Sequence, residues 1–362
     1  MYRPSVGLIV VLVSALLGVS GCASFGPVSV DRDRFDYIQA IANSWKQQTL
    51  LNVVKLRYAD TPVFLEVGQI ISSYQVGGAV TVGGTVNFGS VATNDLLSLG
   101  TGATYVDRPT VTYSPLTGAH FIKTLMTPIP PPALFPLIES GWPVDLLFQI
   151  AVQNINGIAN RKGGARGHAA EPEFGPLLAA LRRIQVSDSI GLRVQVSKET
   201  KQEGMVLTFS QKDLSPEVLA DRALVRKLLG LRPDLREFKV VYGAAAEGDD
   251  VMAIQTRSAF QILVELGADV EVPAEHVAEQ RTYPSIPAPA GGPEALPPLI
   301  RIQSGTARPT DAFAAIKYRN HWYWIDDRDY RSKGILTLLM IVMTLAEKDE
   351  KAPPPVVTIP AN

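Results

Sequence analysis

The stretch "AFAAIKYRNHWYWIDDRDYRSKGILTLLMIVMTLA", residues 312–346, decides the fold class. Its first part predicts a closing strand pair together with the preceding "LIRIQSG", with a turn near Arg319-Asn320, because aromatic and β-branched residues favour strands. Its second part, from Gly334 to Ala346, would form a helix about 20 Å long at 1.5 Å per residue. That is too short for a hydrocarbon core of about 30 Å. Because it is apolar on every side, we predict a buried helix.

Upstream, between residues 174 and 270, segments with helical spacing alternate with short strand-like segments. One of these helices has its start marked by Ser215 as cap and Pro216 in its first turn. Hydrophobic residues make up 46% of the chain and charged residues 19%, which favours a packed globular body over disorder. The predicted fold is therefore α+β: a mixed sheet with packed helices, a long Gly-rich β-hairpin and a buried C-terminal helix.

The Gly-rich hairpin is predicted from "VGGAVTVGGTVNFG", residues 76–89, and the returning "LLSLGTGATYV", residues 96–106. In both segments apolar residues alternate with small or weakly polar ones, which is the period of a strand. So many glycines suit a curved or closely packed soluble sheet. The alternation equally suits a membrane hairpin, whose strands need about 9–11 residues. The membrane alternative requires a ring of subunits with two strands each, similar only in architecture to curli-export lipoprotein channels.

The chain begins "MYRPSVGLIVVLVSALLGVSGC", with Arg3 ahead of an apolar run and small residues before Cys22. This is the anatomy of a secretory signal. The four residues from Val19 to Cys22 resemble the lipobox of bacterial lipoprotein precursors. The resemblance implies that Cys22 takes a diacylglyceryl group, that cleavage precedes it, and that the new amino group is acylated. Ala23 follows where inner-membrane lipoproteins carry Asp, so the resemblance favours the outer membrane, facing the periplasm.

These signals give a predicted organisation of the chain. Residues 23–30 span at most about 28 Å when extended, which would keep the folded body close to the bilayer. The predicted parts are a signal peptide at 1–21, a lipidated N-terminus and short tether at 22–30, an α+β body at 31–282 that includes the hairpin 76–106, a Pro-rich linker or loop at 283–298, strands and a buried helix of the same body at 299–346, and an extended tail at 347–362.

Charge and cysteine content restrict the partners. Lys and Arg number 34 against 35 Asp and Glu, so the net charge of −1 offers no electrostatic footprint for nucleic acid. Cys22 is the one cysteine, and the exported chain therefore has no internal disulfide. The expected partners are the lipid bilayer, through acylated Cys22, and either further copies of the chain or another envelope protein.

A search for chemistry singles out Asp326, Asp327 and Asp329, which follow His321 closely. Carboxylates and an imidazole could hold a divalent cation or share acid–base work. The same aspartates could instead cap the helix that follows. The four histidines lie far apart, and the sequence contains no HExxH, G-x-S-x-G, P-loop or complete dinucleotide motif. We therefore expect no cofactor and no catalytic residue, with the Asp326–Asp329 group and His321 as weak metal candidates.

The segments "RPTVTYSPLTG" and "WYWIDDRDYRSKGILTLLMIVMTLAE" resemble proteobacterial envelope lipoproteins of unknown activity. That resemblance implies kinship and no activity. The sequence thus predicts a membrane-anchored envelope lipoprotein that serves as a non-catalytic binding or assembly component. One alternative is an oligomeric pore or export-channel subunit that contributes the hairpin. Another is a hydrolase or metal-dependent enzyme that uses the Asp326–Asp329 cluster.

Overall fold

The computed structural model describes residues 25–71, 74–85, 96–107, 110–196, 203–210, 214–284 and 297–345. The signal peptide, Cys22, most of the predicted linker and the predicted tail lie outside the described residues. The chain divides into two compact units. The body consists of Met1–Pro62 and Ala119–Asn362, and the hairpin unit is Val63–Gly118. The sequence prediction had placed the hairpin within the body.

The body contains nine helices and nine strands among the described residues. They are α1 Phe25–Arg57, α2 Gly118–Phe121 with a π-helical turn Ile122–Met126, α3 Pro131–Glu139, α4 Val144–Ala151, β5 Val152–Ile155, β6 Ile158–Ala159, α5 Phe174–Val186, β7 Ile190–Val196, β8 Glu203–Phe209, α6 Pro216–Leu228, β9 Glu237–Tyr242, β10 Val251–Thr256, α7 Ala259–Ala268, α8 Ala274–Ala278, β11 Gln303–Gly305, β12 Ala312–Tyr318, β13 His321–Asp326 and α9 Tyr330–Leu345. Helices and mixed sheet together confirm the predicted α+β class.

A six-stranded sheet forms one layer of the body, in the order β6-β5-β10-β9-β8-β7. Strands β9 and β10 are parallel, and every other neighbouring pair is antiparallel. Strand β10 has mostly buried residues, as expected for a central strand. Helix α6 begins as predicted, because the Ser215 side chain accepts from the backbone N–H of Val218 and Pro216 follows it.

Helix α1 has two halves of different character. From Asp33 to Gln48 no side chain is buried, whereas Leu50, Val53 and Val54 are fully buried. The buried half crosses α7 closely, because a Cβ on Gly267 would lie 3.3 Å from the Val53 carbonyl oxygen. Residues 25–30, which are predicted to be part of the short tether, are helical. The apolar spacing had placed the helix start at residue 31 or later, whereas the regular backbone continues back to Phe25.

The C-terminal segment folds as strand, turn, strand and helix. Strands β12 and β13 pair directly across Arg319 and Asn320, which have φ of 46° and 66°. Two successive positive φ values are the signature of a two-residue type I′ turn, whose twist matches that of the strands. Strand β13 also pairs with β11 in the order β11-β13-β12. Helix α9 buries Ile335, Leu336 and other apolar residues, as expected for the apolar run.

The hairpin unit contains four strands: β1 Leu65–Ile71, β2 Tyr74–Thr85, β3 Leu96–Asp107 and β4 Thr110–Pro115. Strands β2 and β3 pair antiparallel over twelve consecutive residue pairs, from Tyr74↔Asp107 to Thr85↔Leu96. Strands β1 and β4 form a second antiparallel pair with a bulge between Val67 and Gln69. Residues 86–95, which connect β2 to β3, lie outside the described residues. Within the described ranges, no helix is both long enough and apolar enough to cross a bilayer.

Candidate functional site

The three aspartates after β13 are engaged in local structure. Asp329 accepts hydrogen bonds from the backbone N–H and the hydroxyl of Ser332, at 3.0 and 2.7 Å, and so caps α9. Asp326 accepts from the backbone N–H of Arg328 at 2.9 Å. Asp327 pairs with Lys333 Nζ at 3.0 Å. Of the two interpretations that the sequence left open, the geometry corresponds to helix capping and local ion pairs.

His321 does not join these aspartates. It begins β13 and Asp326 ends the strand. Since a strand rises about 3.3 Å per residue, the two residues lie roughly 16 Å apart along the strand. The acid–base or metal group that the sequence suggested across residues 321–329 is therefore not assembled.

His321 belongs instead to a cluster in the body that includes Tyr58, Glu275, His276 and Tyr323, here called the His–Tyr cluster. Tyr58 follows the last turn of α1, Glu275 and His276 lie on the short helix α8, and His321 and Tyr323 lie on β13. The His276 and His321 rings meet edge to face, with centroids 5.0 Å apart. The Glu275 carboxylate Oε1 lies 3.9 Å from His276 Nε2 and 3.7 Å from His321 Nε2.

A hydrogen-bonded chain runs through the buried side of the cluster. The Tyr58 hydroxyl lies 2.7 Å from His276 Nδ1 and 2.6 Å from the Tyr323 hydroxyl. All three side chains are buried. Burial raises the pKa of both tyrosines, so both hydroxyls stay protonated. Burial is the main cause that lowers the pKa of His276, and the neighbouring His321 is the next. Both favour the neutral imidazole.

A second hydrogen-bonded group borders the first. The Tyr318 hydroxyl donates to Asp60 Oδ2 at 2.7 Å and accepts from Arg319 Nε at 3.1 Å. The Arg319 guanidinium also lies over the Tyr58 ring, 5.1 Å from its centroid. The hydrogen bond from Tyr318 lowers the pKa of Asp60. These contacts hold the β12–β13 turn, with its left-handed Arg319, against the end of α1.

The segment that carries His276 is fastened to the same helix end. The Thr282 hydroxyl donates to the Arg57 carbonyl at 2.7 Å. The Arg57 guanidinium stacks over the Tyr283 ring at 4.0 Å and donates to the Ala268 carbonyl. Buried Arg57 therefore connects α1, the end of α7 and the segment after α8. The three elements of the cluster are positioned by packing as well as by their own hydrogen bonds.

Among the described residues, Glu275, His276 and His321 form a group able to supply metal ligands, with their ligand atoms within 4.8 Å of one another. Of these three residues, only His321 is a candidate on sequence grounds. Glu275 and His276 lie 45 or more positions earlier, in "AEHVAEQ". The apolar residues of this segment show no helical or strand periodicity, so nothing in the sequence indicates that His276 is buried. The available signal was the adjacent Glu-His pair itself, which is common and weak. Cys22 lies outside the described residues.

In comparisons with known proteins, no family model, no curated protein and no solved structure matches the chain.

Proposed function

We propose that this protein is a lipid-anchored envelope protein that acts as a non-catalytic binding or assembly component at the periplasmic face of the outer membrane. The observation that carries the proposal is the position of Cys22 directly after an apolar run that resembles an export signal, three residues before α1 begins at Phe25. Several acyl chains on one cysteine give more than the two membrane signals that stable anchoring requires.

Helix α1 gives this anchor a definite reach. Lys46 of α1 already packs on the body, with its Nζ 4.6 Å from the centre of the Phe313 ring, and 21 residues separate it from Phe25. At 1.5 Å per residue this corresponds to at most about 31 Å of helix before the body is reached. In this proposal the helix before Lys46 acts as a spacer between anchor and body, in addition to the short tether predicted from the sequence.

The exposed half of α1 supports a binding role. Phe35 and Ile38 are 71% and 53% exposed and lie three residues apart, hence on one face of the helix. Ten residues separate Phe35 from Phe25, which is about 15 Å of helix. An apolar pair at that height is placed to contact a protein partner beside the membrane.

The anchor is tested by growing cells with an alkyne analogue of palmitate and purifying the protein. We expect label on the wild type and on the control Ser24→Ala, and none on Cys22→Ser. The wild type should float with outer-membrane vesicles on a density gradient, while Cys22→Ser should not. An unlabelled wild-type protein would rule out the anchor and with it the proposed location.

A second candidate function is an oligomeric pore or export-channel subunit. It is favoured by the twelve unbroken residue pairs of β2 and β3, which exceed the 9–11 residues or so that a membrane strand needs. Each subunit would contribute the two strands to a ring. Mass measurement of the detergent-solubilised protein decides this candidate, because a strictly monomeric particle is incompatible with a ring.

A further inference from the structure

The open side of the His–Tyr cluster presents three potential metal ligands. Glu275 is 64% exposed at its side chain, His321 is 13% exposed and His276 is 4% exposed. The two imidazoles converge from different elements, α8 and β13, and the carboxylate lies between them. We propose that Glu275, His276 and His321 bind one divalent transition-metal ion of the zinc class.

The separations are close to those of a metal site. Two imidazoles on one tetrahedral zinc ion, with Zn–N distances near 2.0 Å, place their nitrogens about 3.3 Å and their ring centroids about 5 Å apart. The observed centroid separation is 5.0 Å. The carboxylate oxygen, at 3.7 and 3.9 Å from the two Nε2 atoms, needs to approach by roughly half an ångström to reach the ligand spacing of such a site. Because the Glu275 side chain is exposed, it can rotate to bring its carboxylate oxygen closer to the two imidazoles without disturbing the core.

The outer partners of the histidines suit metal binding. His321 Nδ1 lies 3.3 Å from the Arg319 carbonyl, which can only accept, so this hydrogen bond places the proton on Nδ1 and the lone pair on Nε2. His276 has the same option, because Nδ1–H can donate to Tyr58 while Tyr58 donates to Tyr323. Metal-binding histidines characteristically donate their second N–H to a protein acceptor in this way.

The ligand chemistry determines the class of ion. Imidazole nitrogen suits zinc, copper, iron and nickel, whereas magnesium and calcium prefer oxygen ligands. Two histidines and one carboxylate also leave at least one coordination position for water or an outside ligand. Here that position faces solvent on the side of Glu275, because Tyr58 and Tyr323 close the opposite side.

The test uses the full chain, purified in detergent through a tag that contains no histidine, stripped with chelator and dialysed against buffered Zn²⁺. We expect about one equivalent per chain, retained in excess Mg²⁺. Glu275→Gln and His321→Ala should each weaken binding at least about tenfold, and Tyr58→Phe, which removes only an outer partner, about 10- to 100-fold. His168→Ala and Glu247→Gln, a histidine and an exposed glutamate of the body outside the cluster, are the matched controls and should bind like the wild type.

Each contrary result is decisive. The proposal fails if the wild type takes up no Zn²⁺, if Mg²⁺ displaces it, or if Glu275→Gln and His321→Ala bind as tightly as the controls. Glu275 is exposed, so its substitution keeps the fold and the comparison stays valid even where His276→Ala does not fold. A rise in melting temperature on adding Zn²⁺, present in the wild type and controls and absent in Glu275→Gln, gives a second readout. None of these outcomes depends on acylation of Cys22.

Discussion

The hydroxyl of Tyr58 holds the buried side of the cluster together, and its removal gives a measurable prediction. In Tyr58→Phe the ring remains under Arg319, while the hydrogen bonds to His276 and Tyr323 are lost. Each buried hydrogen bond contributes about 0.5–1.5 kcal/mol net, so the free energy of unfolding should fall by about 1–3 kcal/mol. Tyr323→Phe loses one of the two bonds and should cost about 0.5–1.5 kcal/mol.

The double variant separates this explanation from simple loss of packing. Once Tyr58 is Phe, the Tyr323 hydroxyl is already without its partner, so its removal should cost little. We expect the double variant to lose about 1 kcal/mol less stability than the sum of the two single losses. Independent sites add to within about 0.3–0.5 kcal/mol, so this difference is large enough to detect.

Urea unfolding followed by tryptophan fluorescence measures this, because all four tryptophans lie in the body and two of them, Trp322 and Trp324, flank Tyr323. Tyr330→Phe is the matched control, since Tyr330 is 87% exposed and its substitution should change stability by less than about 0.5 kcal/mol. Strict additivity of Tyr58→Phe and Tyr323→Phe would refute the hydrogen-bonded chain.

Four further outcomes can be measured on the same protein. A Cβ on Gly163 would lie 3.0 Å from both Ala268 Cβ and Glu265 Cα, so Gly163→Ala should destabilise by about 1–3 kcal/mol. Gly334→Ala, inside α9 with nothing within 4 Å, should stabilise by about 0.5–1 kcal/mol, and equal effects of the two changes in urea unfolding would contradict both assignments. Asp329→Ala removes the cap of α9 and should cost about 0.5–2 kcal/mol, whereas Asp329→Asn should keep most of it. The hydrogen bond from Tyr318 lowers the folded-state pKa of Asp60 below its ordinary value of 3.8. The stability that Asp60 contributes is therefore present above pH 3.8 and is lost as the pH falls through the folded-state pKa. Asp60→Asn should therefore flatten the acid side of a stability–pH curve, and an unchanged acid side would count against the contact.

The sequence predicted those parts of the fold that depend on neighbours along the chain. The turn at Arg319-Asn320, the cap at Ser215 and the buried apolar helix after Gly334 each follow from local residue type, and each is present. The predicted helix start at residue 31 is six residues late, because residues 25–30 continue the helix without interruption.

The site itself escaped prediction for a physical reason. Its hydrogen bonds join residues separated by 218 and 265 positions, and no spacing rule reaches so far. Closeness in sequence predicted a site made of His321 and the aspartates five to eight positions after it. The strand between them is extended, so residues close in sequence are held apart, whereas the short helix α8 approaches from a distant part of the chain.

The His–Tyr cluster has an inner and an outer side, and the two sides should respond differently to substitution. On the inner side Tyr58, Tyr323 and His276 are buried, so each change there alters both the fold and the orientation of the imidazole. On the outer side Glu275 is 64% exposed, so its substitution should alter ligand binding with little effect on stability, whereas His321 is only 13% exposed and its substitution should alter both. His276 is the one residue that belongs to both sides, since its Nδ1 faces Tyr58 and its Nε2 faces Glu275. A substitution that lowers metal affinity without changing the urea midpoint should therefore map to Glu275. Substitutions that change both quantities should map to Tyr58, His276 and His321, and this division follows from burial alone.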